Sequence, residues 1–264
     1  MTISVIIPTY NREKTIKRSI ESVLSQTISV DEIIIVDDCG NDNTKSIIDS
    51  FNDKIIKYIK LPENGGPAVA RNEGVKIATC DWIAFHDSDD EWLPNKIENQ
   101  INYINSHPGV EFVYCSYKRS WADEVIPFIF NLDKYEGDML ETLLKHNTVG
   151  APTILMKKQL FEDIGGFETS IRCMEDWDFA IKVSKENYLG FIEEPQLLVH
   201  RVDMSVSHDN YGYLQAMCYI IGTHKNEFIK YNKFNSVIIN LINDAKKLGV
   251  EKEIEKLLAL YISL

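Results

Sequence analysis

Between Ser4 and Ser106 the chain alternates short apolar runs with stretches whose apolar residues recur at helical spacing. Ser4–Pro8, Glu32–Asp37, Ile55–Lys60 and Asp81–His86 read as strands, short and apolar enough to be buried on both faces. Between them, Arg12–Ser25, Asn43–Phe51 and Pro67–Ala78 read as helices. The first follows Asn11, a favourable N-cap, and sets Ile16, Ile20, Val23 and Leu24 on one face. The third begins at Pro67, whose fixed φ suits the first helical position, after a Gly65-Gly66 turn. Strands alternating with helices predict βαβ units and a mostly parallel α/β sheet.

A helix over Leu93–Ser106 and a strand over Glu111–Tyr117 extend this pattern, which from Glu136 onward gives way to mixed pieces. GDMLETLLKH and KKQLFEDI read as helical and PTILM as extended; a long helix through Asp176–Glu186 and a strand at Gly190–Glu193 follow. Such a second half is expected to complete a site rather than build a core of its own. From Asp209 to the end, periodic Ile and Leu in SVIINLI and EIEKLLALYISL predict helices throughout.

The 264 residues, 44% hydrophobic and 26% charged, belong to an ordinary globular protein. Lys and Arg number 28 against 40 Asp and Glu, a net charge of −12, and no basic stripe is present, which excludes nucleic acid as a partner. The 5 cysteines lack metal-binding spacing and read as reduced thiols of a cytoplasmic protein. MTISVIIPTYNR enters the first strand without the basic start and apolar stretch of a signal peptide, and no window approaches a membrane span. Membrane contact, at the inner face, is therefore expected to be peripheral at most.

The chemistry gathers at strand ends. The fourth strand runs into His86-Asp87-Ser88-Asp89-Asp90, at the carboxyl edge where open α/β sheets place ligands. Packed carboxylates repel unless a cation or hydrogen-bond donors compensate. Mg²⁺ or Mn²⁺ with a diphosphate would do so, taking one or two carboxylates and filling its other positions with phosphate oxygens and water. Alone, the same residues read more readily as a solvated acidic turn capping the helix at Leu93. Three other strand ends are also polar: Pro8-Thr9-Tyr10-Asn11, Asp37-Asp38-Cys39-Gly40, and Asn64-Gly65-Gly66-Pro67 leading to Arg71-Asn72. The last opens a helix whose N-terminus favours anions. Four such ends along one sheet edge describe a nucleotide pocket.

SVIIPTYNR, SVLSQT, EIIIVDDCGND-T, NGGPAVARNEG, DWIAFHDSDDEWLP, IGGF and MEDWDF, in this order, resemble the inverting nucleotide-sugar glycosyltransferases of family 2, with the GT-A fold, over roughly residues 1–205. The resemblance implies a catalytic domain over 1–208, with a nucleotide-binding half at 1–106 and an acceptor-binding half at 107–208, then a helical C-terminal extension over 209–264. It implies that Pro8, Thr9 and Tyr10 hold the nucleotide, that Asp38 reaches the base, and that Asn64 and Arg71 line the pocket. Asp87-Ser88-Asp89 matches the D-x-D motif, with Asp87 and Ser88 at the donor and Asp89 on a Mn²⁺ or Mg²⁺ cofactor. Glu175-Asp176 matches the family's E-D pair, making Asp176 the base that deprotonates the acceptor hydroxyl. An ordinary Asp, with a pKa of about 3.9, would be ionised for this at neutral pH. A single base with direct displacement gives inversion. Glu175 would bind a sugar hydroxyl, Trp177 would stack on a sugar ring, and Gly166 would allow close approach of the acceptor. The resemblance further implies a UDP-sugar donor and a glycan acceptor, possibly lipid-linked, in surface polysaccharide synthesis.

Many relatives follow the E-D helix with Tyr-Arg-x-His and a nearby Ser. Here Arg201 matches the Arg, Ser205 the Ser, His200 the Tyr and Asp203 the His, which leaves open whether His200 or Asp203 approaches the metal or diphosphate. The helical tail has three uses open to it: packing on the catalytic domain, pairing with a second subunit, or resting on a membrane. Two rival functions stand beside the transferase: a nucleotidyltransferase, disfavoured because PTYNR is no triphosphate loop, and a sugar-nucleotide-binding protein without activity.

Overall fold

The computed structural model describes residues 1–121, 124–128, 132, 134–200 and 210–262. Its centre is a seven-stranded sheet. Strands β1 (Ile3–Thr9), β2 (Glu32–Asp37) and β3 (Ile56–Lys60) lie parallel, and β4 (Trp82–Phe85) runs parallel to β1 on its other side. Every residue of β1, β2 and β4 is buried. β3 differs from the expectation: it ends the sheet order, so its residues are only half-buried or exposed.

Helices α1 (Ile16–Leu24), α2 (Thr44–Asp49) and α3 (Pro67–Ile77) make the crossovers. Asn11 is not the cap of α1. It adopts a left-handed backbone (φ 52), its Oδ1 accepts a hydrogen bond from the Asn41 amide at 2.8 Å, and the helix starts later, at Ile16. Gly74 explains how closely α3 seats on the sheet, because a Cβ there would come within 2.5 Å of Ile6 Cγ2.

A two-residue strand β5 (Glu91–Trp92) leads to α4 (Lys96–Ser106), β6 (Phe112–Cys115) and the hairpin β7 (Tyr117–Trp121) and β8 (Glu124–Phe128). After α5 (Leu140–Leu143), strand β9 (Leu155–Lys157) inserts between β4 and β6, antiparallel to both. Helices α6 (Lys158–Ile164) and α7 (Glu175–Ser184) follow, then β10 (Leu189–Ile192) beside β6 and β11 (Leu197–His200). The large sheet has the order β10-β6-β9-β4-β1-β2-β3, and β5-β11-β7-β8 forms a smaller one. The second half thus extends the first half's sheet, because Leu155 and Met156 sit in register with Ala84 and Ile83.

Alternation along the strands builds two cores, one on each face. Val5, Ile7, Ile33 and Ile35 pack with Ile16, Ile20 and Ile97 on one side. On the other, Ile6, Ile34 and Phe85 pack with Phe161, Phe167 and Phe179. The last helices, α8 (Asn210–Thr223), α9 (Lys225–Lys230), α10 (Phe234–Leu248) and α11 (Glu251–Tyr261), join this second core through Leu214, Ile220, Ile221, Phe228 and Leu241. Each such side chain buried from water contributes about 1.5–3 kcal/mol. Among the described residues, no helix is long and apolar enough to cross a membrane.

Candidate active site

The carboxyl ends of β1, β2 and β4 and the start of α7 carry the polar residues. Asp38, just past β2, donates its amide to the Thr9 carbonyl at 2.8 Å, and its own carbonyl accepts from Asn64 Nδ2 at 3.1 Å. Pro8, Thr9, Asp38 and Asn64 are thereby brought to one rim. Tyr10 follows with 47% of its surface exposed, while the buried Thr9 hydroxyl has no partner among the described residues. The two oxygens of the Asp38 carboxylate accept the Gly65 and Gly66 amides, each at 2.8 Å. They hold the glycine turn that starts α3.

Beyond β4, the acidic turn rests on α1. The Ser19 hydroxyl donates to the Asp87 carbonyl at 3.1 Å, and Arg18 donates to the Asp89 carbonyl. Ser22 Oγ lies 3.3 Å from His86 Nε2 and accepts the Trp92 amide at 3.1 Å. Ser88 is buried. The Asp89 carboxylate lies 3.3 Å from the Arg12 guanidinium. Arg12, Arg18, Ser19 and Ser22 escaped the sequence reading. Two serines on the buried stripe of a helix are its one signal for them, since buried hydroxyls are placed there to bond something.

Arg71 is the centre of the site. Its NH2 donates to Asp87 Oδ1 at 2.7 Å, its NH1 to Glu175 Oε1 at 2.5 Å, and the guanidinium lies 5.7 Å from the centre of the Phe167 ring. Burial works against its charge, yet the Asp87 and Glu175 carboxylates hold it above its ordinary range. Arg71 therefore pairs with two acids. Glu175 gives Oε1 to this pair.

Asp176 follows at the start of α7. Its Oδ2 accepts the Ala151 amide at 3.1 Å and its Oδ1 the Trp177 amide at 2.8 Å. Burial, then the neighbouring Glu175 charge, push its carboxyl up to about 7, against the pull of Arg71. The sequence-based value for an ordinary Asp is corrected accordingly. Met174, which precedes this turn, has a left-handed backbone (φ 62), as does Cys39 (φ 65) after Asp38. The other non-glycine residues of this kind among the described ones are all asparagines, which tolerate the conformation. Backbone strain is thus concentrated at the rim of this cleft.

Two expected acceptor residues make contacts of other kinds. Trp177 is 4% exposed, and its indole N–H donates to the Leu143 carbonyl at 2.7 Å, so the ring belongs to the core. Gly166 is left-handed (φ +74), and a Cβ there would come within 2.9 Å of Asn72 Oδ1. The close approach it permits is to α3. Asn72 bonds both the amide and the carbonyl of Phe167, at 3.0 and 2.8 Å. Arg201, Asp203 and Ser205 lie outside the described residues. The His200 amide donates to Asp90 Oδ1 at 3.1 Å, and its ring Nε2 lies 3.3 Å from Glu91 Oε2.

A divalent cation fits this chemistry. Asp89 is raised by burial and by the Asp87 charge, with Arg12 opposing; Asp90 is raised further by burial and both neighbours. Additional positive charge at the turn would relieve this. Among the described residues no group of three or more His, Cys, Asp or Glu is set to hold a metal alone. An ion sharing its shell with phosphate oxygens needs only one or two carboxylates.

Comparison with known proteins gives a consistent picture. Residues 4–165 match the family model described as glycosyl transferase family 2. The chain is 33% identical over 190 residues to UDP-Glc:alpha-D-GlcNAc-diphosphoundecaprenol beta-1,3-glucosyltransferase WfgD of Escherichia coli, covering 72% of each. Among solved structures it resembles residues 1–349 of S. aureus TarS in complex with UDP-GlcNAc, with a TM-score of 0.76, 20% identity, and coverage of 99% of this chain and 81% of that one. It also resembles mannosyltransferase PcManGT from Pyrobaculum calidifontis in complex with GDP-Man and Mn²⁺, with a TM-score of 0.68, 17% identity, and coverage of 99% and 75%. These neighbours show the GT-A fold.

Proposed function

The chain belongs to glycosyl transferase family 2, and on that footing we propose that it moves a sugar from a nucleoside diphosphate to a glycan hydroxyl with inversion, using Asp176 as the general base. The observation that carries this reading is the Arg71 bridge, which joins Asp87 of the acidic turn to Glu175 beside Asp176 and so supports a donor-side group and a base acting in one cleft.

In this reading the acceptor hydroxyl meets Asp176, whose carboxyl near neutrality matches the task of taking a proton at physiological pH. The Ala151 amide holds Oδ2 and the Trp177 amide holds Oδ1, so the base has a fixed orientation. With one base on one face, the attacking oxygen displaces the diphosphate from the other, and an α-linked donor gives a β-linked product. Asp89 would hold Mn²⁺ or Mg²⁺, which when bound neutralises the charge of the departing diphosphate. Arg71 fixes Asp87 and Glu175, and Tyr10 offers an exposed ring for the nucleotide base to stack on.

The donor is proposed to be a UDP-sugar, supported by the UDP-Glc in the name of the Escherichia coli relative and the UDP-GlcNAc held by TarS. The acceptor is proposed to be a lipid-linked glycan of surface polysaccharide synthesis, as the diphosphoundecaprenol in that relative's name suggests. Screening nucleotide sugars for donor hydrolysis, with and without Mn²⁺, tests the reading. Hydrolysis of a UDP-sugar that Asp176→Asn abolishes supports it; no turnover of any nucleotide sugar contradicts it.

A further inference from the structure

Behind the cleft, an aspartate and a histidine meet in the core, with a lysine reaching in from its edge. Asp178, in the first turn of α7, is fully buried, and its Oδ1 lies 2.9 Å from Nε2 of the equally buried His224. A carboxylate only accepts, so His224 Nε2 carries the proton of this bond. Lys182, one turn further along α7, places Nζ 2.6 Å from the other oxygen. Removing a partner from a buried carboxylate is strongly destabilising, so Asp178 depends on both.

His224 stands at the junction of α8 and α9, and the C-terminal helices meet the segment from 168 to 185 twice more nearer the surface. Lys185 pairs with Glu227 at 2.5 Å, and the Tyr219 hydroxyl donates to Glu168 Oε2 at 2.6 Å. On its other side the first turn of α7 has little local support. Its N-cap Met174 is left-handed and makes no side-chain capping bond. The start of the helix is therefore set by long-range contacts: Arg71 to Glu175 from the front and His224 to Asp178 from behind.

We propose that His224 is a positioning residue for Asp176: its bond to Asp178 pins the first turn of α7 to the C-terminal helices and so sets the Asp176 carboxylate against the Ala151 amide. The kinetic consequence rests on the reading of Asp176 as the base, whereas the positional claim stands on geometry alone. An apolar pair at 178 and 224 would fill the same space but allow the helix to slide or rotate. A directional bond fixes one register. The C-terminal helices thereby become part of the catalytic apparatus without touching substrate.

Hydrogen exchange on the full chain, read by mass spectrometry, tests this with three variants. His224→Phe keeps ring volume and removes the donor, His224→Gln keeps an N–H donor, and Tyr219→Phe removes a neighbouring bond from α8 that does not reach α7. In His224→Phe, exchange across 149–154 and 174–179 accelerates at least about ten-fold while β1 to β4 stay as in wild type. His224→Gln restores most of the protection, and Tyr219→Phe leaves both segments unchanged. With a hydrolysed donor, kcat of His224→Phe falls about ten-fold while the donor KM stays within about two-fold. If His224→Phe does not fold, the double variant Asp178→Leu/His224→Phe, which removes the bond without leaving a buried charge unpaired, is read in the same way. Unchanged exchange in those two segments, or acceleration spread evenly along the chain, overturns the proposal. Wild-type hydrolysis that does not depend on Asp176 removes the functional reading, and the exchange pattern still decides the positional one.

Discussion

The guanidinium of Arg71 lies 2.5 Å from the carboxylate of Glu175, although 104 positions separate them in the chain. Its other arm reaches Asp87 at 2.7 Å, so the acidic turn after β4 and the first turn of α7 form one electrostatic unit. The planar guanidinium presents its donors as a rigid fork, one arm to each carboxylate.

Arg71→Lys is accordingly predicted to fail as a conservative change. It leaves one acid without its partner in a site where the arginine side chain is 6% exposed, at a cost of about 3–5 kcal/mol. Urea denaturation measures the loss, and calorimetric titration with UDP should show weakened binding. Wild-type stability in Arg71→Lys would mean that the bridge carries no weight.

The raised carboxyl of Asp176 makes two predictions of defined sign. A base must be ionised, so turnover rises with pH through about 7 and falls roughly ten-fold per unit below it. Stability moves the other way. The folded chain holds this proton more tightly than the unfolded chain, so the group costs nothing below the ordinary carboxylate range and destabilises increasingly as pH rises through about 7. Asp176→Asn removes that penalty, and its thermal midpoint at pH 8 should exceed that of wild type. A flat turnover profile from about pH 5 to 8 contradicts the first prediction, and an unchanged midpoint the second.

Asp89→Ala is predicted to abolish the Mn²⁺ dependence of UDP binding while leaving the protein folded, because its one ion pair among the described residues, with Arg12, is partly exposed. Calorimetry with Mn²⁺ or with EDTA separates the cases. Equal metal-dependent affinity in the variant and wild type removes Asp89 from the metal site.

Trp177→Phe isolates a correction. With the indole in the core, the change removes the bond to the Leu143 carbonyl and lowers stability by about 1 kcal/mol, with KM for donor and acceptor unchanged. A ten-fold rise in acceptor KM would return the ring to a sugar-stacking role.

The strand ends were readable from sequence because an apolar run that stops at Asp38 or Asp87 marks both a strand and the edge where ligands gather. Periodicity says nothing of partners, and the missed features are all long-range. β9 is three residues long and finds its place between β4 and β6 only through tertiary pairing. Arg71 reads from sequence only as lining the pocket, because one-dimensional spacing cannot show Glu175 beside it. Trp177 was misplaced for a related reason: on a helix that starts at a cleft, adjacent residues point in different directions, so Asp176 faces the site while Trp177 faces the core. The pKa of Asp176 was invisible, since burial and the Glu175 charge exist only in the fold.

The most direct test of the whole account is Asp176→Asn assayed twice on one preparation, for UDP binding by calorimetry and for turnover of whichever nucleotide sugar the wild type hydrolyses or transfers. The predicted result is an affinity within about two-fold of wild type together with a loss of turnover of about 10²–10⁴-fold, as expected on removing a general base. Turnover within a few-fold of wild type would contradict it.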